Sequence, residues 1–364
     1  MAQPPPERTD LPWSVTWDKI LGRSATQALA VVVLSLIAFA GGLWWARSSR
    51  EPTPGLPLVY EPPQGLGPVQ TVYIDTEGVG DHSLVATLLY MADRGLVALE
   101  HRPDHSWLIT GKATDEQWAA TDPVTLAAGL RLGVTRPGYW FLADGSTGAG
   151  LALKSAQDVI TKDTERWARD AGLTEESLGE EIGRVAWWAA LALAAIGFLG
   201  LLGGPTLHGL PFAAFALGGV GLQRTGVGAR RTALGRGVWS RAGGFERLLS
   251  TPSSEDRFDF AARKDLFVAF VPYAVAFGVA DRWADKYRAA TGQEPPIPGW
   301  YPSSTGAGYG LYGGEDWAFG EFDGALSTSI ASYEASQAAS SGGGGFGGGG
   351  GFGGGGGGGG GGSW

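Results

Sequence analysis

The chain has 364 residues, a formal net charge of −9, 62 glycines and no cysteine. The lack of cysteine excludes disulfides, cysteine-ligated zinc or iron–sulfur sites and thiol nucleophiles. The acidic balance argues against general affinity for nucleic acid, which needs a surplus of Lys and Arg. At about 100–200 residues per domain, the chain is long enough for more than one domain.

The first long uncharged stretch runs from Ser24 to Ala46. It predicts a membrane-spanning helix over 26–46, since about 20 apolar residues cross a bilayer, and it leaves residues 1–25 as a short segment outside the cytoplasm. A cleaved signal peptide is the alternative. Three acidic groups and four prolines precede the apolar run, and no small-residue cleavage site follows it, so we expect an uncleaved anchor.

A second uncharged stretch, 185–223, is too long for one helix and is broken at Gly203, Gly204 and Pro205. Proline cannot continue the helical hydrogen-bond ladder, so the sequence predicts two spans, over 185–203 and 206–223. Both are rich in Gly and Ala, which favours close helix packing. We therefore expect a protein partner or a homo-oligomer through these small-residue spans.

Arginines indicate the orientation, because Lys and Arg concentrate on the cytoplasmic side of a membrane. The loop inside the predicted hairpin has none, whereas nine flank it: Arg166, Arg169, Arg184, Arg224, Arg230, Arg231, Arg236, Arg241 and Arg247. The count predicts a multi-pass protein of the cell membrane with its N-terminus outside and its C-terminus in the cytoplasm.

Charge is unevenly distributed between the two predicted cytoplasmic regions. Residues 47–184 carry 12 basic and 20 acidic groups, and residues 223–288 carry 12 basic and 7 acidic groups. A basic segment next to a span is attracted to anionic lipid by about 1 kcal/mol per surface cation. Membrane lipid is therefore the expected partner of the basic region, and nucleic acid is an unlikely one.

Residues 51–68 contain six prolines, which predicts a semi-rigid extended linker and not a packed element. A cytoplasmic α+β region over 69–184 should follow. Its first elements are a strand at 69–74, a helix from Gly80 to Gly95, and a hairpin that turns at 102–104. A helix followed directly by a small hairpin is typical of a winged-helix-like unit.

This unit could read DNA or bind protein. A recognition helix needs polar and basic groups on its outer face, and here we find Asp81, His82, Asp93 and a single Arg94. The composition favours protein interaction. Further along, 123–143 predicts a second compact α/β portion, and 153–171 an amphipathic helix.

The region 224–291 should be helical, beginning with a helix at 232–249. Residues 266–280 are uncharged but too short for a span, and Pro272 interrupts them. They predict a broken helix that lies in the membrane interface or packs on the membrane domain. Residues 292–364 should form a disordered acidic and then Gly-rich tail, either inert or weakly adhesive through Phe346, Phe352 and Trp364.

The sequence offers no clear chemistry. His101, Asp104 and His105 cluster at the predicted hairpin turn, where a solvent-exposed turn is a simpler reading than a metal site. Residues 145–150 lack the Lys-Ser/Thr ending of a phosphate loop. The spans hold no Asp or Glu for ion coupling. We therefore assign no catalytic, cofactor-binding or metal residue and expect a protein that is not an enzyme.

Several segments resemble the YciQ-like predicted membrane proteins (domain of unknown function 2207). They are Ala86–Val97, Gly244–Arg247, Arg263–Phe267, Val271–Gly278 and Asp281–Ala284, with the closing Gly362-Ser363-Trp364. The resemblance covers about 50–364 and implies a membrane location without any catalytic residue. Members of that family commonly carry a secreted β-rich domain before the first span, whereas here only about 25 residues precede it.

Together these patterns predict three α-helical membrane spans, a cytoplasmic α+β winged-helix-like module, a helical C-terminal portion and a disordered Gly-rich tail. The expected function is a non-enzymatic scaffold or regulatory interaction protein. A membrane-tethered DNA-binding regulator and an accessory subunit of a transporter are the alternatives.

Overall fold

A computed structural model describes residues 25–199, 207–251, 264–302 and 319–341. The described chain is mostly helical, with one three-stranded and one two-stranded antiparallel sheet. Its helices are α1 Ala25–Ser48, α2 Pro68–Thr76, α3 Ser83–Asp93, α4 Asp115–Ala119, α5 Pro123–Leu132, α6 Thr147–Asp170, α7 Leu178–Leu199, α8 Leu210–Gly218, α9 Ala233–Ser250, α10 Lys264–Ala276, α11 Ala280–Thr291 and α12 Gly320–Ser341. Its strands are β1 Val97–His101, β2 Trp107–Gly111, β3 Trp140–Ala143, β4 Thr174–Glu176 and β5 Ala229–Arg231.

Among the described residues two helices, α1 and α7, are long and apolar enough to cross a membrane. The helix α1 agrees closely with the predicted span at 26–46, whereas α7 begins at Leu178, seven residues before the predicted start. The third apolar segment, Leu207–Gln223, consists of α8 between two 3₁₀ turns and is shorter. It packs against both α1 and α7.

Glycines bring α8 and α1 into backbone contact. A Cβ atom added to Gly218 would lie 2.2 Å from the Phe39 carbonyl oxygen, and one added to Gly42 would lie 2.5 Å from the Phe215 carbonyl oxygen. Neither position therefore has room for a side chain. The small residues are used in contacts within the chain, and assembly of several chains through them stays a prediction.

The outward faces of these helices are strongly apolar. Leu29, Leu36 and Ile37 of α1 are each more than 60% exposed. A soluble surface rarely carries so large a contiguous apolar area, which suits contact with lipid.

The linker 51–67 contains no helix or strand and has bends at 60–61 and a turn at 64–65, but it is packed, contrary to the expectation. We call it the proline strap. It lies along α9, where Val59 N donates to Gly244 O at 3.3 Å and Arg247 Nη1 donates to Leu56 O at 2.5 Å. Its far end accepts a hydrogen bond at Leu66 O from the Tyr273 hydroxyl, at 2.9 Å. Proline-rich backbone has free carbonyls, and side chains of the neighbouring helices donate to them here.

The predicted strand at 69–74 is wrong, because these residues form α2. Pro68 occupies the first turn, where its fixed φ suits a helix, and Gln70 Oε1 accepts from the Gly67 amide at 2.8 Å. All residues from Pro68 to Ile74 are buried. A helix that is buried on every side shows no helical periodicity, so a short apolar run of this kind is ambiguous in sequence.

The next elements confirm the prediction. The helix α3 ends before Gly95, which has φ +69° and terminates it in the left-handed conformation. Strands β1 and β2 then form an antiparallel hairpin that places Leu99 opposite Ile109. Every residue of α3 from Ser83 to Ala92 is buried. The helix α3 is therefore central to the part of the chain from α2 to α6, which we call the α/β unit.

Strand β3 pairs with β2 and places Phe141 opposite Ile109. The residues around 140 therefore complete the same sheet, and the expected second α/β portion is wrong. The amphipathic helix, α6, begins earlier than predicted, with Ser146 Oγ accepting from the Ala149 amide at 3.2 Å as its cap.

The segment 266–280 is buried in the main core, contrary to the expected position in the membrane interface or on the membrane domain. It forms most of α10, which packs against α3 and α2 in the main core, with Val271, Ala274 and Val275 almost fully buried. Phe267 stacks on Trp283 of α11 at a centroid distance of 5.4 Å. A fully buried helix and an interfacial helix share an uncharged sequence, and only tertiary packing distinguishes them.

The predicted disorder of 292–364 is partly wrong, because 320–341 form α12 on the surface of α6. Phe319, Phe322 and Leu326 are each at most 1% exposed, and Phe322 contacts Trp107 at a centroid distance of 4.7 Å. Three apolar residues at helical spacing suffice to anchor this otherwise polar segment. The N-terminal residues 1–24, most of the stretch 256–264 and the Gly-rich tail 342–364 lie outside the described residues.

Candidate functional site

The sheet of β4 and β5 lies where the apolar helices meet the rest of the chain. Thr174, before α7, pairs with Arg231, after α8. This pairing closes the apolar hairpin at its base. Around it lies a cluster of charged residues that we call the polar junction: Glu51, Asp75, Glu77, Glu180, Arg230 and Arg231.

Arg231 is the centre of the polar junction and is only 4% exposed. Its guanidinium pairs with Glu51 at 3.3 Å, just after α1, and with Glu77 at 2.7 Å, just after α2. It also donates to the carbonyls of Ile74 at 2.6 Å and Asp75 at 2.8 Å. One side chain thus joins the end of the first apolar helix to the first helix of the core.

The indole of Trp239 covers the same guanidinium, which lies 3.9 Å above the ring centroid. A cation over an aromatic face is stabilised by the ring quadrupole, most strongly when it is desolvated. Trp239 Nε1 donates in turn to the Asp75 carboxylate at 3.1 Å. The polar groups of Arg231 are therefore well satisfied, as a buried charge requires.

A second ion pair binds α7 to α1. Glu180, which is 3% exposed, accepts from Arg230 Nε at 2.5 Å and from the Gly228 amide at 3.0 Å. Arg230 Nη2 donates to the Ser48 carbonyl at 3.0 Å. The last residue of α1 and the first turn of α7 are thereby held by one arginine of β5.

Burial raises the pKa of two carboxylates of this cluster, Asp75 and Glu77. It raises the pKa of Asp75 to about 6, with a further contribution from the charge of Glu246, against opposing effects of Arg231 and the Trp239 hydrogen bond. Burial also raises the pKa of Glu77, although Arg231 opposes it. The carboxylates are thus held at an energetic cost that the arginine only partly offsets.

The arrangement links elements of the chain that are distant in sequence. Five of its six charged side chains are engaged in ion pairs. Within 25–199, 207–251, 264–302 and 319–341, no three His, Asp or Glu side chains are grouped to hold a metal ion. A cavity of about 280 Å³ opens beside the junction.

The residues that drew attention in the sequence lie far from the junction along the chain. Asp104 and His105 are exposed at the hairpin turn, where Asp104 accepts from the Ser106 amide and hydroxyl at 3.1 and 2.6 Å. His101 stacks on Trp107 at 4.9 Å. The glycine-rich stretch 145–150 begins α6, and its Gly145 amide donates to the Ser329 hydroxyl of α12 at 3.0 Å.

Sequence reasoning missed the junction because it counted Arg230 and Arg231 as surface cations. A buried arginine has no local signature, and its partners are 150–180 positions away in the chain. The segment Gly244–Arg247 could have indicated a close contact. A Cβ atom at Gly244 would lie 2.0 Å from the Pro57 carbonyl oxygen of the strap.

A bundle of apolar helices, closed at its base by buried ion pairs and carrying a compact α/β unit, defines a membrane-associated protein. The chain belongs to the family described as "Predicted membrane protein (DUF2207) C-terminal domain", whose model matches residues 57–287. No curated protein and no solved structure matches the chain. The family match is narrower than the resemblance suggested: it begins in the proline strap, ends in α11, and includes every member of the polar junction except Glu51.

Proposed function

We propose that the protein is a non-enzymatic membrane scaffold whose α/β unit is held in a fixed orientation at the cytoplasmic face to bind a protein partner. The observation that carries the proposal is the Arg231 network, which joins the end of α1, through Glu51, to α2 of the unit, through Glu77. A freely tethered domain would need only a flexible linker. Buried ion pairs are better attested as devices of specificity than of stability.

The proposal includes three spans, namely α1, α7 and the segment Leu207–Gln223. Backbone contact of α8 with α1 and α7 supports the shorter third span, whose length is at the lower limit of about 17 residues for crossing a bilayer. The arginines at the base of the hairpin support a cytoplasmic location for the unit.

The surface of the unit supports protein interaction. Tyr139 and Trp140 are 55% and 62% exposed at the start of β3, an edge strand of the three-stranded sheet. Exposed aromatic residues are enriched where proteins bind one another. The order α2, α3 and the β1–β2 hairpin supports the winged-helix-like reading of the unit.

Nothing in the unit favours the DNA-binding alternative. Its α3 would be the recognition helix, and ten consecutive residues of α3 are buried. The surrounding region 47–184 has eight more acidic than basic groups. The DNA-binding alternative would be supported if the full chain in detergent were retained on immobilised duplex DNA and released by salt. Similarly, a stable oligomer in gentle detergent would favour the accessory-subunit alternative.

A photo-crosslinking amino acid at position 139 or 140 tests the scaffold proposal in cells. We expect one discrete protein adduct from these positions, and none from the same amino acid at Leu36 on the outward face of α1. The adduct should weaken in Arg231→Met, because the unit then loses its fixed orientation. A diffuse or absent adduct at both sheet positions, with the protein purified as a strict monomer, would contradict the proposal.

A further inference from the structure

Four arginines lie outside the polar junction, at the helix ends that surround it, and all are exposed: Arg47, Arg50, Arg184 and Arg224. Among the described residues none of these four forms an ion pair, although two donate to a backbone carbonyl. By contrast, Arg230 and Arg231 one layer deeper are paired with carboxylates. The inner arginines therefore have carboxylate partners, whereas the four outer arginines have none among the described residues.

Tryptophans mark the depth of the outer arginines relative to the bilayer. Trp44 and Trp188 are 71% and 57% exposed near the same ends of α1 and α7. Indoles favour the headgroup level of a membrane. Arg47 follows Trp44 by about one turn, and Arg184 precedes Trp188 by about one turn, which places their guanidinium groups at the phosphate layer.

Two of the outer arginines share one cavity. Arg50 and Arg224 both line the 280 Å³ cavity beside the junction. Hydroxyl groups from α1, the strap, α2 and the loop after α8 contribute to the same wall: Ser49, Thr53, Thr76 and Thr225. Four carboxylates line the wall: those at positions 51, 77 and 180 already hold Arg230 or Arg231, and Asp75 accepts from Trp239 Nε1. Arg50 and Arg224 are the cations of the wall that form no ion pair among the described residues.

We propose that this cavity binds the headgroup of an anionic phospholipid of the phosphatidylglycerol type. The phosphodiester lies between Arg50 and Arg224, because guanidinium groups match phosphate oxygens with paired hydrogen bonds. The glycerol hydroxyls of the headgroup face the hydroxyl-bearing wall. A phosphatidylcholine headgroup would instead place its own quaternary ammonium cation beside the two arginines, which would repel it. The inference rests on the proposed membrane placement of α1 and α7, and it names a lipid partner for that placement.

The test uses the full-length chain purified from nanodiscs that contain equal amounts of phosphatidylglycerol and phosphatidylcholine. Native mass spectrometry then counts the lipids that stay bound. We expect phosphatidylglycerol to be retained in preference to phosphatidylcholine, and Arg50→Gln/Arg224→Gln to reduce its retention at least tenfold. The matched control, Lys112→Gln/Arg136→Gln, removes two exposed charges near the three-stranded sheet and should retain lipid like the parent chain.

Three results would overturn the proposal: equal retention of the two lipids by the parent chain, undiminished phosphatidylglycerol on the double variant, or displacement of the lipid by millimolar glycerol 3-phosphate. The last would assign the cavity to a soluble phosphate ester. Thermal unfolding of the double variant in detergent checks that it is folded. Because the crosslink at the sheet aromatics does not depend on Arg50 or Arg224, failure of the lipid site and failure of the scaffold proposal are separable.

Discussion

Replacing Arg231 by methionine should destabilise the protein more than any exposed substitution. The change leaves Glu51 and Glu77 without a counter-charge, and the carbonyls of Ile74 and Asp75 without a donor. Removing one partner of a buried ion pair costs about 3–5 kcal/mol. The carboxylates are only 13% and 22% exposed, so solvent compensates little, and we expect about 3 kcal/mol.

The triple variant Arg231→Met/Glu51→Gln/Glu77→Gln separates charge from packing. It removes both orphaned carboxylates, so it should recover most of the lost stability although it removes more polar contacts. The matched control is Arg236→Met, an exposed arginine of α9, which should change stability by less than about 0.5 kcal/mol.

Two readouts follow in detergent or nanodiscs. Tryptophan fluorescence reports unfolding, and a spin-label distance between cysteines placed at Leu36 and Glu100 reports the orientation of the unit relative to α1. The chain has no cysteine of its own to interfere. We expect a narrow distance distribution in the parent and a broad one in Arg231→Met. An unchanged melting point together with a narrow distribution in that variant would refute the role of the network.

Three further predictions follow from the contacts. Burial raises the pKa of Asp75 to about 6, so its protonated form stabilises the fold fully below pH 4, and this stabilisation is lost as pH rises through 6. Asp75→Asn should therefore increase the free energy of unfolding by up to about 3 kcal/mol at pH 7.5 and leave it nearly unchanged at pH 4. Denaturation at the two pH values measures the difference. Gly218→Val would drive a side chain into the Phe39 carbonyl and should cost about 1–3 kcal/mol in thermal unfolding, whereas an unaltered melting point would disprove the close α1–α8 contact. Phe322→Ala removes the side chain that packs on Trp107 and should lower the local stability of α12 by about 3–5 kcal/mol. The amides of α12 should then exchange hydrogen much faster. Unaltered exchange would show that α12 is held by other contacts.

Local signals predicted the elements that local interactions determine. Gly95 ends α3 because a left-handed residue is needed there, and Thr232 caps α9 by accepting from the Gly235 amide at 3.1 Å. The β1–β2 hairpin followed from two short apolar runs around a turn at 102–104. Long uncharged stretches likewise identified α1 and most of α7, since the length of an apolar run is itself the signal.

Elements that depend on distant partners were misread. The sequences of α2 and α10 are apolar because core surrounds them on nearly every side, and this pattern also suits a strand or an interfacial helix. The helix α12 looked disordered because its few anchors, among them Phe322, stabilise it only against α6 and the sheet. Arg231 looked like one more cytoplasmic arginine, since nothing near it in sequence reveals that Glu51 and Glu77 meet it in the fold.

The central claim is that the α/β unit lies at the cytoplasmic face, and cysteine accessibility tests it most directly. Single cysteines replace Ser14 and His105, and intact cells are treated with a membrane-impermeant maleimide. His105 is chosen because it is exposed, whereas the neighbouring Ser106 is only 5% exposed. The account predicts labelling at position 14 in intact cells and at position 105 only after the membrane is permeabilised. Labelling of position 105 in intact cells would place the unit on the outer side and contradict the account.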